Sequence, residues 1–328
     1  MRVSTDVRVE VGGLAGTSGS MTRTARALFC SLLAAFSLAI APSIASADLL
    51  PANPITDWST LLPGLAPAYN PNDPNLCNSG KPQCIDAVAK EMTKRFQPLS
   101  DSCSHNALFS LLYLRVTNHV GDAVRTPGEF DDPGFISHED AVFASYYFNA
   151  FDSYAKGDLA HTPAAWRIAF DAAKNHQVQG IGNLLLGMNA HINRDLPYVL
   201  YSIGLVAPDG SSRKPDHDRI NAVLYDAYNQ AIGEGAQRFD PSLQADTGPT
   251  AADTGIQSVI MWREEAWRNA VRLASAASDA ERAVISQQID QAAEAEAQVI
   301  KAAYSYDGVV NKSSDRDAYC AVHHNDGT

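Results

Sequence analysis

The chain has 328 residues, 45% of them hydrophobic, with 37 acidic against 25 basic side chains and a formal charge of −12. That length is enough to bury a large core. A field this negative excludes binding to nucleic acid or to an anionic membrane through global charge, and suits a protein that stays soluble and attracts cations.

Residues 1–47 read as a secretory signal. Arg23 and Arg26 form a positive n-region, an apolar run extends from Ala27 to about Ala41, and Ala45-Ser46-Ala47 supplies a small-residue cleavage site. Met21 is the expected start, because the segment before it is rich in Gly, Ser and Thr. The apolar run is too short for a membrane anchor. Cys30 is followed by Ser31 and lies well before the cleavage point, so no lipid-attachment site is evident. The expectation is an exported, secreted protein. Cleavage removes four basic residues (Arg2, Arg8, Arg23, Arg26) and two acidic ones (Asp6, Glu10), which leaves the remainder more acidic still.

Cys77, Cys84, Cys103 and Cys320 remain, and an even count in an exported chain points to two disulfides. Three pairings are open. We favour Cys77–Cys84, closing a short Asn/Gly/Pro loop, with Cys103–Cys320 tying the C-terminal segment to the start of a core helix. A Cys-rich zinc site is disfavoured, since no second Cys-x-x-Cys unit exists.

Residues 48–82 are Pro/Asn-rich and read as an irregular extension; residues 83–322 read as a helical domain and 323–328 as a tail. Ile85, Val88, Ala89, Met92 and Phe96 recur at helical spacing, and Pro98 is expected to end that helix. Residues 103–120, with Leu108, Leu111, Leu112 and Leu114, form a central apolar helix. After a loop over 121–136, Ser137 caps a helix reaching Lys156, with Glu139 and Asp140 in its acidic first turn. Thr162-Pro163 starts another helix, and a further one follows Gly180 and Gly182. Asp216 caps the helix after the turn-rich stretch Pro208–Pro215. Residues 254–276 and 279–304 form the last two helices, the second opened by the capping box Ser278-x-x-Glu281. No alternation long enough for a sheet is present. The expected fold is one all-α domain of about eight or nine helices.

The main candidate site is Gly187-Met188-Asn189-Ala190-His191-Ile192-Asn193-Arg194-Asp195-Leu196. His191 and Asp195 lie four apart, on one face of a helix whose leucines would bury it. Such a pair needs partners: a metal ion, a substrate, or other protein groups. Arg194 beside it can bind an anionic group. Asn189 and Asn193 face elsewhere and are expected to bond neighbouring backbone. His217, one turn above Asn221, has no evident structural duty. The helix carrying Tyr146, Tyr147, Asn149, Asp152 and Tyr154 can line a pocket, with Asp140 or Asp152 as a carboxylate ligand. His105 at a helix N-terminus is disfavoured as a cation, hence a competent neutral ligand, though a packed structural histidine explains it as well. His119, His138, His161 and His176 are expected to be solvated, and His323-His324 to lie in the tail.

The chain has no Gly-x-Ser-x-Gly elbow, His-Glu-x-x-His, phosphate-binding glycine loop, dinucleotide fingerprint or Glu-x-x-His pair. At Leu184–Leu196, with Phe143–Phe148 and Pro163-Ala164-Ala165-Trp166, it resembles the bacterial domain-of-unknown-function family 5995. The resemblance implies a helical domain and no particular activity. A weaker, fold-level similarity is to the secreted zinc phospholipase C and single-strand nuclease group, whose His-x-x-x-Asp pairs hold a metal cluster. Here His191/Asp195 alone matches, and the N-terminal tryptophan of that pattern is missing.

The leading expectation is a metal-dependent hydrolase acting on an ester or phosphoester, with a small-molecule or lipid-like substrate. His191, Asp195 and His217, completed by Asp140 or His105, would hold a divalent ion, zinc by preference, that activates water while Arg194 steadies negative charge. The alternatives are a metal-free enzyme in which Asp195 orients His191 as a general base toward a small apolar substrate, and a helical binding protein whose His–Asp pair locks the core.

Overall fold

A computed structural model describes residues 65–245 and 249–327; the expected signal lies outside them. The described residues are helical, with no β-strand and two isolated bridges, Val178 to Ser305 and Val206 to Ser212. Among them no helix is long and apolar enough to cross a membrane.

Helix α1 (Gln83–Asp101) buries Ile85, Val88, Met92 and Phe96. It runs past Pro98, which had been expected to stop it. The amide that proline lacks would have bonded exposed Lys94, and the last turn still closes through Ser102 N donating to Pro98 O at 3.2 Å. Helix α2 (Ala107–Ala123) is buried along most of its first half and packs between α1 and α7. His105 sits in the turn just before α2, not inside it.

Helix α3 (Pro133–Ala155) starts one turn earlier than Ser137. Asp132 caps it, accepting from Phe135 N at 3.0 Å, and Pro133 supplies the preset first-turn geometry. Ser137 instead bonds back to Pro133 O. Glu139 and Asp140 therefore fall in the second turn and are buried.

Helix α4 (Ala164–Lys174) follows Pro163, and α5 (Gly180–Met188) begins at a glycine for a steric reason. A Cβ on Gly180 would lie 2.5 Å from Asp240 Oδ2, the oxygen that accepts Gly180 N. From Asn189 to Asp195 the helix widens into π geometry before α6 (Leu196–Ile203) resumes. Pro197 accounts for the widening: it cannot donate into the ladder and its ring pushes on the preceding turn. This π segment is the hub of the fold, packed by α9 and α10 and touched by α3 to α6.

Helix α7 (Lys214–Arg238) contains Asp216 in its first turn. Asp216 does not cap that helix; its two carboxylate oxygens accept Asp131 N and Asp132 N, both at 2.8 Å, fastening the loop before α3. After the single turn α8 (Ser242–Ala245) come α9 (Pro249–Ser275), α10 (Asp279–Ala303) and α11 (Ser313–His323). Half of the capping box of α10 forms as expected, Glu281 N donating to Ser278 Oγ at 3.1 Å; the return bond falls one residue earlier, the Glu281 carboxylate accepting Ala277 N at 2.8 Å. Cys77–Cys84 and Cys103–Cys320 are both at disulfide distance, so the favoured pairing stands. The second bridge anchors α11, whose end carries His323, paired with Asp326 at 2.7 Å.

Candidate functional site

His191 projects from the π segment into an aromatic cage. Its ring lies flat on Phe143, with centroids 3.5 Å apart and planes 2° from parallel, and Tyr113 approaches to 4.5 Å. Nδ1 lies 3.3 Å from Asp195 Oδ2. The same oxygen accepts Trp166 Nε1 at 2.8 Å, while Oδ1 accepts Arg194 Nη1 at 2.9 Å. Arg194 continues to Asp290 at 3.1 Å, and its guanidinium lies over Tyr198. Both members of the His191–Asp195 pair are buried. Burial pulls the His191 pKa below its usual value, against the opposing pull of Asp195, so the ring is neutral. With Asp195 on Nδ1, the N–H sits on that side and Nε2 carries the lone pair. Nε2 is buried and has no hydrogen-bond partner among the described residues.

That bare nitrogen belongs to a residue lining a cavity of about 60 Å³ between α2, α3, the π segment, α7 and α9. The walls are mostly apolar, including Leu112, Val116 and Ile256, and four side chains with polar groups contribute to them: His191, Tyr113, Tyr228 and Arg263. The Tyr113 hydroxyl is also buried without a partner, and burial raises its pKa well above the ordinary phenol range. Arg263 is held by Asn221 Oδ1 at 2.8 Å and by the His217 carbonyl at 2.6 Å. Burial lowers its pKa to about 10.

Among the described residues the expected shell of His191, Asp195 and His217, completed by Asp140 or His105, does not gather around one point. His217 faces Arg263 and Glu139, with Nδ1 3.2 Å from Arg263 Nη2 and 4.0 Å from Glu139 Oε1. Desolvation, followed by the Arg263 charge, lowers its pKa. Asp140 is buried with Oδ2 unpartnered; desolvation, then the neighbouring Glu139, pushes its carboxyl up to about 8. With no cation beside it among the described residues, burial favours the protonated acid at neutral pH. Asp152 is taken by Arg95 at 2.6 and 3.0 Å. His105 pairs with Asp317 at 2.9 Å, in a different cluster. Among the described residues the one group bringing three ligand-type side chains together is His105, His176 and Asp317, without His191.

Other histidines also depart from expectation. His138 is fully buried, its two ring nitrogens 2.9 Å from Cys77 O and 2.8 Å from Pro67 O, and it fastens residues 65–82 to α3. His176 is exposed but engages Asp317 at 2.8 Å. Asn189 bonds Ala293 O at 2.8 Å and Asn193 bonds Glu296 at 3.0 Å, so both tie the π segment to α10. Tyr113, Arg263 and Asp317 escaped the sequence reading. Each is a single residue far along the chain from its partners, with no local motif.

A model for a family of unknown function, DUF5995, matches residues 85–303, from near the start of α1 to the end of α10. The chain belongs to the DUF5995 family. The match spans the whole His191 cavity, but not Asp317 or the disulfide at Cys320. No curated protein and no solved structure matches the chain.

Proposed function

We propose that this DUF5995 protein is an acid–base enzyme in which His191, oriented by Asp195, takes a proton from a small, largely apolar substrate. One observation carries the reading: a buried imidazole nitrogen without a partner, on a residue that lines an apolar cavity, with its other nitrogen held by a carboxylate. A structural pair can pack its second nitrogen against protein, and Nε2 is covered in this way. What favours catalysis is that no donor among the described residues uses its lone pair, on a residue that borders a cavity.

The chemistry follows from the arrangement. Nε2 accepts a proton from a substrate C–H or O–H, and the imidazolium formed is stabilised by Asp195. Trp166 and Arg194 hold Asp195 in place, so little reorganisation accompanies the transfer. The Tyr113 hydroxyl can donate to an oxygen that gains negative charge. Arg263 gives the same wall a positive potential, which suits a substrate carrying one carbonyl or carboxylate on an otherwise apolar frame. The cavity limits that substrate to a small molecule. The two disulfides support work in an oxidising compartment, in keeping with secretion.

The test is a panel of small aryl and alkyl esters and hydrophobic ketones that carry an α-C–H, with turnover read as exchange of that proton for solvent deuterium, in the wild type and in His191→Phe. Phenylalanine conserves the stack on Phe143, so near-UV circular dichroism should stay native while turnover drops by at least about 100-fold. A wild type that turns over none of the panel, and whose His191 ring resonances no member shifts, would sink the reading.

A further inference from the structure

We propose that His105, His176 and Asp317 form a second, separate site that binds one divalent metal ion, with zinc the best match. Their ligand atoms lie within 4.8 Å of one another and come from three distant segments: the turn before α2, the loop between α4 and α5, and α11. Asp317 bridges the two rings, Oδ1 to His105 Nε2 at 2.9 Å and Oδ2 to His176 Nδ1 at 2.8 Å. The rings stack with centroids 4.2 Å apart. Drawing the three atoms onto an ion at about 2.0–2.2 Å needs a shift of about an ångström, mostly in exposed His176.

Several features beyond proximity fit this use. His176 holds a left-handed backbone, φ +52°, which a non-glycine residue adopts at a cost. The Cys103–Cys320 bridge ties together the two segments that carry His105 and Asp317, each ligand lying within one turn of its cysteine. The His105 side chain is fully buried, whereas those of Asp317 and His176 are 33% and 45% exposed. That gives one fixed ligand, two adjustable ones and an open side for entry and a bound water.

The layer behind His105 is also suited. Asn183 Nδ2 faces His105 Nδ1 at 3.4 Å, while Asn183 Oδ1 is buried without a partner. When an ion takes Nε2, the ring proton shifts to Nδ1. Turning the amide then presents Oδ1 as acceptor, in exchange for the bonds Nδ2 makes to Val178 O and Gln179 O. Arg316 lies 3.2 Å from Asp317 and offsets its charge. That disfavours hard, oxygen-seeking cations and favours one that binds imidazole strongly.

The experiment uses the disulfide-intact, untagged chain, stripped with chelator and titrated with zinc by calorimetry. One equivalent should bind. Affinity should fall by more than tenfold in Asp317→Asn and in His176→Gly, the glycine accepting the left-handed backbone without strain. His191→Phe should bind zinc as the wild type does, which separates this site from the cavity. Binding well below one equivalent, or unchanged affinity in both variants with native circular dichroism, overturns the proposal. If His176→Gly does not fold, Asp317→Asn alone decides.

Discussion

His191 and His105 stand on either side of Phe109, and the contrast between them shows how surroundings assign a role to one side chain. Both are buried and both pair with an aspartate. Asp195 is itself buried and accepts from Trp166 and Arg194, so His191 is locked in one tautomer and its other nitrogen is bare. Asp317 is part-exposed and shared between two imidazoles, so His105 belongs to an adjustable, solvent-connected cluster. A rigid carboxylate behind one ring with an apolar cavity in front suits proton transfer. A part-exposed carboxylate between two rings suits a cation.

The largest effect that tests this contrast is on the two carboxylates. Asp195→Asn leaves the buried Arg194 guanidinium with Asp290 as its one carboxylate and replaces one of two acceptor oxygens by an NH2 donor, set either against Arg194 or against Trp166 and His191. It should cost about 3–5 kcal/mol in urea denaturation, the range for breaking one side of a buried ion pair. Asp317→Asn, at a part-exposed site without metal, should cost about 1 kcal/mol or less. Equal costs would mean that the two pairs are equivalent and that the assignment by environment is wrong.

Next in size is the pH dependence around the cavity. The Asp140 carboxyl is pushed up to about 8 by burial and by Glu139, whereas an unfolded aspartate titrates near 4. Between those values the folded chain keeps a proton that the unfolded chain has released, so Asp140 makes the native state lose stability as pH rises through that window. Asp140→Asn should therefore raise stability at pH 8 by a few kcal/mol and leave it nearly unchanged at pH 4. His191 acts with the opposite sign. Its lowered pKa means that stability is lost as pH falls below the usual histidine value of about 6.5. Melting temperatures of Asp140→Asn and His191→Phe across pH 4–8 would separate the two contributions.

Much of this was legible in the sequence because it is local. Helical periodicity and the Ser278 cap are read within a few residues, and the His191–Asp195 spacing survives the change to π geometry because residues four apart share a face there too. The failures have physical causes as specific. Asp132-Pro133 is a stronger helix start than Ser137, yet it sat in a stretch whose glycines and prolines read as loop. Pro197, the signal for the π segment, was hidden in a leucine-rich run. The deeper gap is convergence. His105 meets Asp317 across 212 residues, and His217 meets Arg263 across 46. A lone histidine in the sequence says nothing of which partner the fold will bring to it, so the metal shell drawn from residue type alone joined groups that the helices keep apart.

The smallest expected effect concerns the wall between the two centres. Phe109 lines the His191 cavity and also a cavity of about 10 Å³ beside His105, where Gly187 faces it. A Cβ on Gly187 would lie 2.4 Å from the Phe109 ring, so Gly187→Ala must move that ring. Alanine is the better helix former, and its propensity gain of about 1 kcal/mol partly offsets an overpacking cost of about 1–3 kcal/mol. The net destabilisation should be near 1 kcal/mol by urea denaturation. The ring has room on the His191 side, the larger of the two cavities, and its shift there narrows the space for substrate. Turnover on the ester panel should fall with the loss concentrated in KM, while zinc affinity at His105 stays as in the wild type. A loss of zinc affinity with turnover intact would show the ring moving the other way, and would place the tighter packing on the His191 side.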